Sequence, residues 1–200
     1  EGMRIEMVLF YDFEMTGLHK NTTPISLGIV SEDGKKFYAE FTDYDESQCD
    51  DWIKENVIKN LKLAGMGVGV SDTDENPPLR IVMGDKKYIY QEMNEWLHHF
   101  DTIQFVSDVC HYDFVLLIDL LTNGETALDL PKNISAVCHD LNQDIARNYH
   151  TSDREAFDMS REEIMFDVCA GKDFVTGDKH NSLYDAEVIR AIYGGIGYDT

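Results

Sequence analysis

An apolar run near the start of the chain ends in two acidic residues, which places two carboxylates at the end of a buried strand. The run covers residues 7–11, and Asp12 and Glu14 follow it. Side chains alternate between the two faces of a strand, so these two acids project from the same face. Carboxylates held this close repel each other unless a cation lies between them, and oxygen ligands suit Mg²⁺ or Mn²⁺. The pattern therefore predicts half of a metal site.

Two acids separated by one residue also occur by chance in this chain, because Asp and Glu supply 38 of the 200 residues. The pattern does recur, at Asp153 and Glu155, directly after Ser152. Ser is a preferred helix N-cap residue, and acidic residues in a first turn favour the positive end of the helix dipole. The second copy is therefore interpreted as an exposed helix start, whereas Asp12 and Glu14 are interpreted as functional.

A histidine and an aspartate near the end of the chain are predicted to complete the site. His180 follows a loop-forming segment, and Asp185 lies in a predicted helix with an apolar face that covers residues 183–193. A His in the loop and an Asp one turn inside the helix can reach one cleft. His139 and Asp144 have the same five-residue spacing. Because His139 ends a strand-like run, it is interpreted as structural.

Two further acids lie in a segment whose pattern predicts a strand, a short turn and a helix. Asp108 ends the predicted strand, and Asp113 opens the predicted helix, with Phe114, Leu117 and Leu121 following at helical spacing. The carboxylate of Asp113 is thus expected to face the end of the strand. We favour Asp113 as the third acidic ligand; Asp108 is then either a neighbour of that ligand or a cap before the helix.

Three short blocks carry a family resemblance, and from the first block to the last they extend over almost the whole chain. They are residues 12–18, the run Tyr112-Asp113-Phe114 with Leu117, and residues 180–186. On these blocks the chain resembles the DEDDh 3′-to-5′ exonuclease superfamily. Residues 24–41 are most similar to its RNase T-like branch of compact exoribonucleases. Ser182 stands where the third motif usually has Ala, and the second block lacks the Gly-His-Asn lead that is common before its Asp.

The resemblance implies an α/β fold of the ribonuclease H-like type, with a central five-stranded mixed sheet flanked by helices. The sequence pattern agrees with it, because an opening antiparallel meander with a turn at Asp33-Gly34 precedes alternating helices and strands. One exonuclease domain is expected over residues 3–200. Residues 65–78 are expected to form an irregular loop or insertion, and residues 1–2 to be a remnant of cloning.

The resemblance also implies a role for each site residue. Asp12, Glu14 and Asp185 would hold one of two Mg²⁺ or Mn²⁺ ions, and Asp12 would bridge to a second ion held by Asp113. His180 would accept the proton of the attacking water, which suits a side chain that titrates near neutrality. Five residues are expected to contact the substrate, although ordinary turn packing is the alternative for two of them, at positions 15 and 18. The five are Phe13, Met15, Thr16, Leu18 and Asp108.

The formal charge of −21 argues against a simple nucleic-acid binder, since such proteins gain affinity from basic surfaces. Lys20 and Lys179, each near a motif, can supply a local cationic spot. We therefore expect a metal-dependent 3′-5′ exoribonuclease that acts on single-stranded or short nucleic acid, with RNA favoured over DNA. The alternatives are a DNA exonuclease of the same chemistry and an acidic binding module that has kept the fold but not the activity.

The cysteines and the hydropathy indicate the compartment. Cys49, Cys110, Cys138 and Cys169 show no Cys-x-x-Cys spacing, so neither a zinc site nor a disulfide framework is expected. No apolar run reaches the roughly 18 residues of a membrane span, so no membrane partner is expected. These features favour a reducing cytoplasm. A homodimer is left open.

Overall fold

A mixed sheet of seven strands lies at the centre of the structure, a computed structural model that describes residues 6–169 and 174–197. Its strands are β1 (Glu6–Met15), β2 (Pro24–Ser31), β3 (Lys36–Phe41), β4 (Gly69–Asp72), β5 (Leu79–Gly84), β6 (Thr102–Ser107) and β7 (His139–Asp140). Their order across the sheet is β4-β5-β3-β2-β1-β6-β7. The first three strands form an antiparallel meander. Because β6 runs parallel to β1, these two neighbours end at the same edge of the sheet.

Helices cover both faces of this sheet. They are α1 (Asp51–Asn56), α2 (Lys86–Leu97), α3 (Cys110–Leu121), α4 (Leu141–Tyr149), α5 (Asp153–Asp158), α6 (Arg161–Val168) and α7 (Ser182–Ile196). Alternation along β1 explains the two layers. Tyr11 packs in one core with α2 and α3, and Phe10 packs in a second core with α4, α6 and α7. Among the described residues, no helix combines the length and the hydropathy needed to cross a membrane.

The expected α/β architecture, compatible with a ribonuclease H-like fold, is confirmed, but the predicted count of five strands is too low. The strand β4 lies inside residues 65–78, for which the sequence predicts an irregular loop. Val70 of β4 pairs with Val82 of β5, so tertiary pairing overrides a turn-rich composition. The strand β7 is only two residues long, too short for a periodicity to reveal. The predicted turn at Asp33-Gly34 does join β2 to β3, with a φ of +87° at Gly34 that favours glycine.

A disulfide joins two of the cysteines, contrary to the expectation from their spacing. Cys110 is the first residue of α3, and Cys138 directly precedes β7; their Cα atoms are 6.6 Å apart. The parallel pairing of β7 with β6 brings these two segments together. Since the two residues are 28 positions apart, no local pattern reveals the contact. The expectation that no disulfide forms is therefore wrong for this pair.

The start of α7 packs closely against β2. A methyl group at Gly28 would lie 2.3 Å from the backbone O of Ser182 and 2.4 Å from Cα of Leu183. Only glycine therefore allows the helix to approach this far. Beside this contact, the hydroxyls of Ser26 and Ser182 are both buried and form a hydrogen bond of 2.9 Å. Ser182, which stands where the resembled motif usually has Ala, is thus matched by a partner on the sheet.

Candidate active site

A cavity of about 640 Å³ lies where β1 and β6 end and where α3 and α7 begin. The acids and the histidine that the sequence predicts for the site all lie on its wall. Three widely separated segments of the chain are thus brought to one place. The predicted residues on the wall are Asp12, Glu14, Asp108, Asp113, His180 and Asp185.

Strand β1 delivers two of these acids to the side of the sheet that α7 covers. Asp12 and Glu14 have the same parity as Phe10, which packs in the core formed with α7. In the pairing of β1 with β2, Asp12 lies opposite Gly28 and Glu14 lies opposite Ser26. Because these two residues of β2 contact the start of α7, the helix lies over both acids. Asp12 is buried, and Glu14 is partly buried.

The start of α7 brings His180 and Asp185 to Glu14. Asn181 is the N-cap residue, and its side chain accepts a hydrogen bond from the backbone N–H of Tyr184 at 3.3 Å. His180 has a φ of +61°, and its backbone N–H donates to Oδ2 of Asp185 at 3.0 Å. One ligand atom each from Glu14, His180 and Asp185 therefore lies within 4.8 Å of the other two. This spacing suits a shared cation.

Asp113 lies fully buried in the first turn of α3 and has one unsatisfied oxygen. The hydroxyl of Ser107 donates to Oδ2 at 2.5 Å, whereas Oδ1 has no hydrogen-bond partner among the described residues. A buried carboxylate oxygen without a partner is costly unless a cation or a proton satisfies it. Asp12 lies close enough for the charge of Asp113 to raise the pKa of Asp12. Such a set of oxygen donors fits Mg²⁺ or Mn²⁺.

Asp108 is engaged by an arginine that the sequence motifs do not reveal. Nε of Arg161 donates to Oδ2 of Asp108 at 2.5 Å. The same guanidinium donates to the side chain of Asn142 and to the backbone O of Met159. Asn142 in turn donates to the backbone O of Asp108 at 2.7 Å. The carboxylate of Asp108 is thus held in an ion pair on the cavity wall, while Asp113 keeps an oxygen open.

Burial and mutual repulsion raise the pKa of four carboxyl groups in the cavity, with loss of hydration as the largest cause for each. The pKa of Glu14 rises to about 9, and the charges of Asp185 and Asp113 are the next causes. The pKa of Asp185 rises to about 7, and the charge of Asp108 is the next cause. The pKa values of Asp12 and Asp113 also lie well above the usual range. Without a cation, the cluster therefore resists full ionisation.

In the metal-free protein we expect the free energy of unfolding to fall as the pH rises from about 5 to about 9. The folded-state pKa values of Asp185 and Glu14, about 7 and about 9, exceed the unfolded-state values of about 4. A group whose pKa is raised in the folded state stabilises the folded protein at pH values below its unfolded-state pKa. This contribution is lost as the pH rises through the folded-state pKa. Thermal unfolding in a chelator at several pH values tests this. A melting temperature that stays level or increases would contradict it, and saturating Mn²⁺ should weaken the decline.

The ring of His180 is held against an aromatic side chain of α1. The ring centroids of His180 and Trp52 are 5.0 Å apart, and the rings meet edge to face at 73°. Burial lowers the pKa of His180, and the charge of Lys179 adds to the effect. The imidazole is therefore neutral near pH 7 and can accept a proton.

The residues predicted to contact substrate do not all lie on the cavity wall. Phe13, Met15 and Leu18 line it, and Leu18 is 63% exposed. Thr16 is not among the described residues that line it. Its buried hydroxyl instead donates to Oε1 of Gln48 at 2.6 Å, which stabilises the turn between β1 and β2.

Two exposed aromatic side chains add to the apolar part of the wall. Trp52 of α1 is 54% exposed, and Phe157 of α5 is 41% exposed. An amphipathic pattern assigns such residues to a core, and their exposure depends on how α1 and α5 dock. No signal in the sequence could therefore single them out.

The competing motifs form contacts elsewhere. Nε2 of His139 lies 2.6 Å from Oδ2 of Asp144, and Arg147 pairs with the other oxygen of that carboxylate. This ion-paired group links β7 to α4, as expected of a structural histidine. Ser152 and Glu155 form a capping box at the start of α5, as the N-cap pattern predicts. None of these residues lines the cavity within the described part of the chain.

Comparison with known proteins finds relatives of one kind. Two proteins of Mycobacterium tuberculosis, from different strains and both named 3′-5′ exoribonuclease, are each 28% identical to the chain over 116 residues. The match covers 57% of the chain and 61% of each relative. No family model matches. Over somewhat more than half of its length, the chain is thus similar to proteins named 3′-5′ exoribonuclease.

Proposed function

We propose that the protein is a 3′-5′ exoribonuclease with DEDDh chemistry. It would hydrolyse phosphodiester bonds at the 3′ end of single-stranded or short RNA and release 5′-mononucleotides. The observation that carries this proposal is that one cavity gathers the carboxylates of Asp12, Glu14, Asp113 and Asp185 with the imidazole of His180. Similarity to proteins named 3′-5′ exoribonuclease supports the same class of reaction.

The four carboxylates would hold two Mg²⁺ or Mn²⁺ ions. Asp12, Glu14 and Asp185 would bind one ion, and Asp12 and Asp113 would bind the other. Their raised pKa values and the unpartnered Oδ1 of Asp113 support a cation at this place. When bound, such ions stabilise the charge that develops on a scissile phosphate.

His180 would serve as the general base. Its lowered pKa leaves the ring neutral, so the ring can take a proton from the attacking water. The hydrogen bond from its backbone N–H to Asp185 keeps it beside the carboxylates. A base in this position would act on water at the phosphate that the acids bind.

The walls of the cavity suit an unpaired 3′ end. Leu18, Trp52 and Phe157 offer apolar faces on which bases can pack irrespective of sequence. The charge of −21 disfavours a long duplex, whose dense phosphates need a large basic surface. RNA is preferred over DNA in this proposal because both relatives carry names that specify RNA.

We expect stepwise release of 5′-mononucleotides from a single-stranded RNA with a free 3′-hydroxyl, and stalling at a stable duplex. Matched oligonucleotides of RNA and DNA, labelled at the 3′ or the 5′ end and either single-stranded or paired, test this in the presence of Mg²⁺ or Mn²⁺. The 5′-labelled strand should shorten by one nucleotide at a time, whereas the 3′ label should leave in the first step. A chelator should abolish both reactions.

Other results would identify other functions. Internal cuts at early times, or undiminished digestion of a strand with a 3′-phosphate, would contradict an exonuclease. Faster loss of the DNA strand would indicate a DNA exonuclease of the same chemistry. Binding of RNA without turnover at saturating Mn²⁺ would indicate an acidic binding module.

A further inference from the structure

The loop that carries His180 is fastened to the turn that follows α1. The side-chain amide of Asn60 donates to the backbone O of Lys179 at 2.8 Å. The backbone O of Asn60 accepts a hydrogen bond from Nδ2 of Asn181 at 3.2 Å. One residue thus binds the chain directly before and directly after His180.

Two further contacts join the same two segments. Lys62 forms an ion pair with Asp178, and the ring of Trp52 packs against the ring of His180. Each residue from 178 to 181 therefore contacts the segment 52–62. Hydrogen bonds, an ion pair and a ring contact thus hold the loop at four successive residues.

Asn60 is itself fixed in place by its second amide hydrogen. Nδ2 of Asn60 donates to the backbone O of Asn56, the last residue of α1, at 2.7 Å. An amide group has two N–H donors, and both are used here, one on the helix and one on the loop. Asn60 therefore acts as a bridge from α1 to Lys179.

The loop needs such support because it lacks regular secondary structure. Residues 174–181 form neither helix nor strand. His180 also has a φ of +61°, a left-handed conformation that a residue with a side chain adopts at some cost. Its position therefore depends on the neighbouring segment.

We propose that Asn60 is a positioning residue, which acts by holding the loop so that the ring of His180 stays in its reactive place. The inference rests on the proposed function, in which His180 is the general base. Asn60 is not among the described residues that line the cavity. It can therefore change the rate only through the fraction of molecules in which the ring is in place. That fraction sets kcat, whereas the side chains proposed to bind RNA and the ions are not bonded to the amide of Asn60 in the described part of the chain.

Two variants of Asn60 and one matched control test this proposal. Asn60→Ala removes the amide, and Asn60→Asp keeps its shape but removes both donors, to Lys179 and to Asn56. Both should lower kcat about fivefold to tenfold, the effect of losing the hydrogen bond to the loop, with KM and the Kd for Mn²⁺ changed less than about twofold. Asn56→Ala is the control, because its amide donates within α1, to the backbone O of Trp52, and no contact of this amide with the loop is seen in the residues that the structure describes. The value of kcat should stay unchanged in this variant.

A double variant separates positioning from a general effect on the fold. If Asn60 acts through His180, Asn60→Ala should lower kcat no further in a His180→Ala background. An additive loss there, or a loss that falls on KM, would overturn the proposal.

Hydrogen exchange of peptides within residues 174–185 gives a readout that does not need catalysis. Exchange should be faster in Asn60→Ala than in the wild type and unchanged in Asn56→Ala. Unchanged exchange in Asn60→Ala would overturn the positioning role alone. Absence of turnover in the wild type, with saturating Mn²⁺ and RNA, would instead overturn the proposed function.

Discussion

Replacing Asp12 by Asn is expected to lower turnover by about 10³-fold or more, while the metal-free protein stays as stable as the wild type or becomes more stable. Asp12 is buried among other acids, and its pKa is raised by loss of hydration and by the charges of Asp113, Asp185 and Glu14. An uncharged amide of the same shape removes this repulsion, but it also removes a ligand shared by both proposed ions. Steady-state hydrolysis of a labelled RNA, together with thermal unfolding in a chelator at about pH 8, measures both effects.

A matched control for this variant is Asp72→Asn. Asp72 is an exposed acid on the edge strand β4, away from the cavity wall, and its replacement should leave turnover unchanged. If Asp12→Asn retains near-normal hydrolysis, the assignment of the metal site is wrong. A melting temperature that falls sharply in Asp12→Asn would show that the carboxylate of Asp12 stabilises the fold, which contradicts the prediction.

Replacing His180 by Ala is expected to lower turnover by about 10²-fold to 10⁴-fold, with little loss of metal affinity. A general base contributes to the rate by taking a proton, and hydroxide can replace it in part at high pH. The deficit should therefore shrink as the pH rises. Profiles of kcat against pH for the wild type and the variant give this comparison.

Calorimetric titration with Mn²⁺ decides between the two roles that the geometry allows for His180. A ring nitrogen of His180 lies within 4.8 Å of ligand atoms of Glu14 and Asp185, so the imidazole could also bind a cation. A large loss of Mn²⁺ binding in His180→Ala would show that it is a ligand and not a base. His98→Ala, at the exposed end of α2, is the control for weak binding of Mn²⁺ by a surface histidine.

The features that the sequence predicted correctly follow local rules. The period of two along a strand places Asp12 and Glu14 on one face, and the structure has both acids on the α7 side of β1. Capping preferences distinguish Asp153 and Glu155 as a helix start. These rules involve residues that are close in sequence, so one chain is sufficient to apply them.

The features that the sequence did not predict depend on contacts between distant segments. Arg161 binds Asp108 across 53 residues, and Trp52 meets the ring of His180 only because α1 docks beside the loop. The bond between Cys110 and Cys138 arises in the same way, from the pairing of two parallel strands. Such contacts depend on how distant segments pack against each other. A local pattern in the sequence does not reveal this packing.

The close contact of α7 with Gly28 makes the complete acidic cluster depend on the docking of two distant segments of the chain. Ser26 and Ser182, which meet beside this glycine, are 156 residues apart, and Asp185 lies one turn further along the same helix. Until that helix docks, Asp12 and Glu14 of β1 and Asp113 of α3 lack the carboxylate of Asp185 and the imidazole of His180. A chain cut before α7 thus carries an incomplete cluster. The proposed hydrolysis can begin only after the core around β2 is complete.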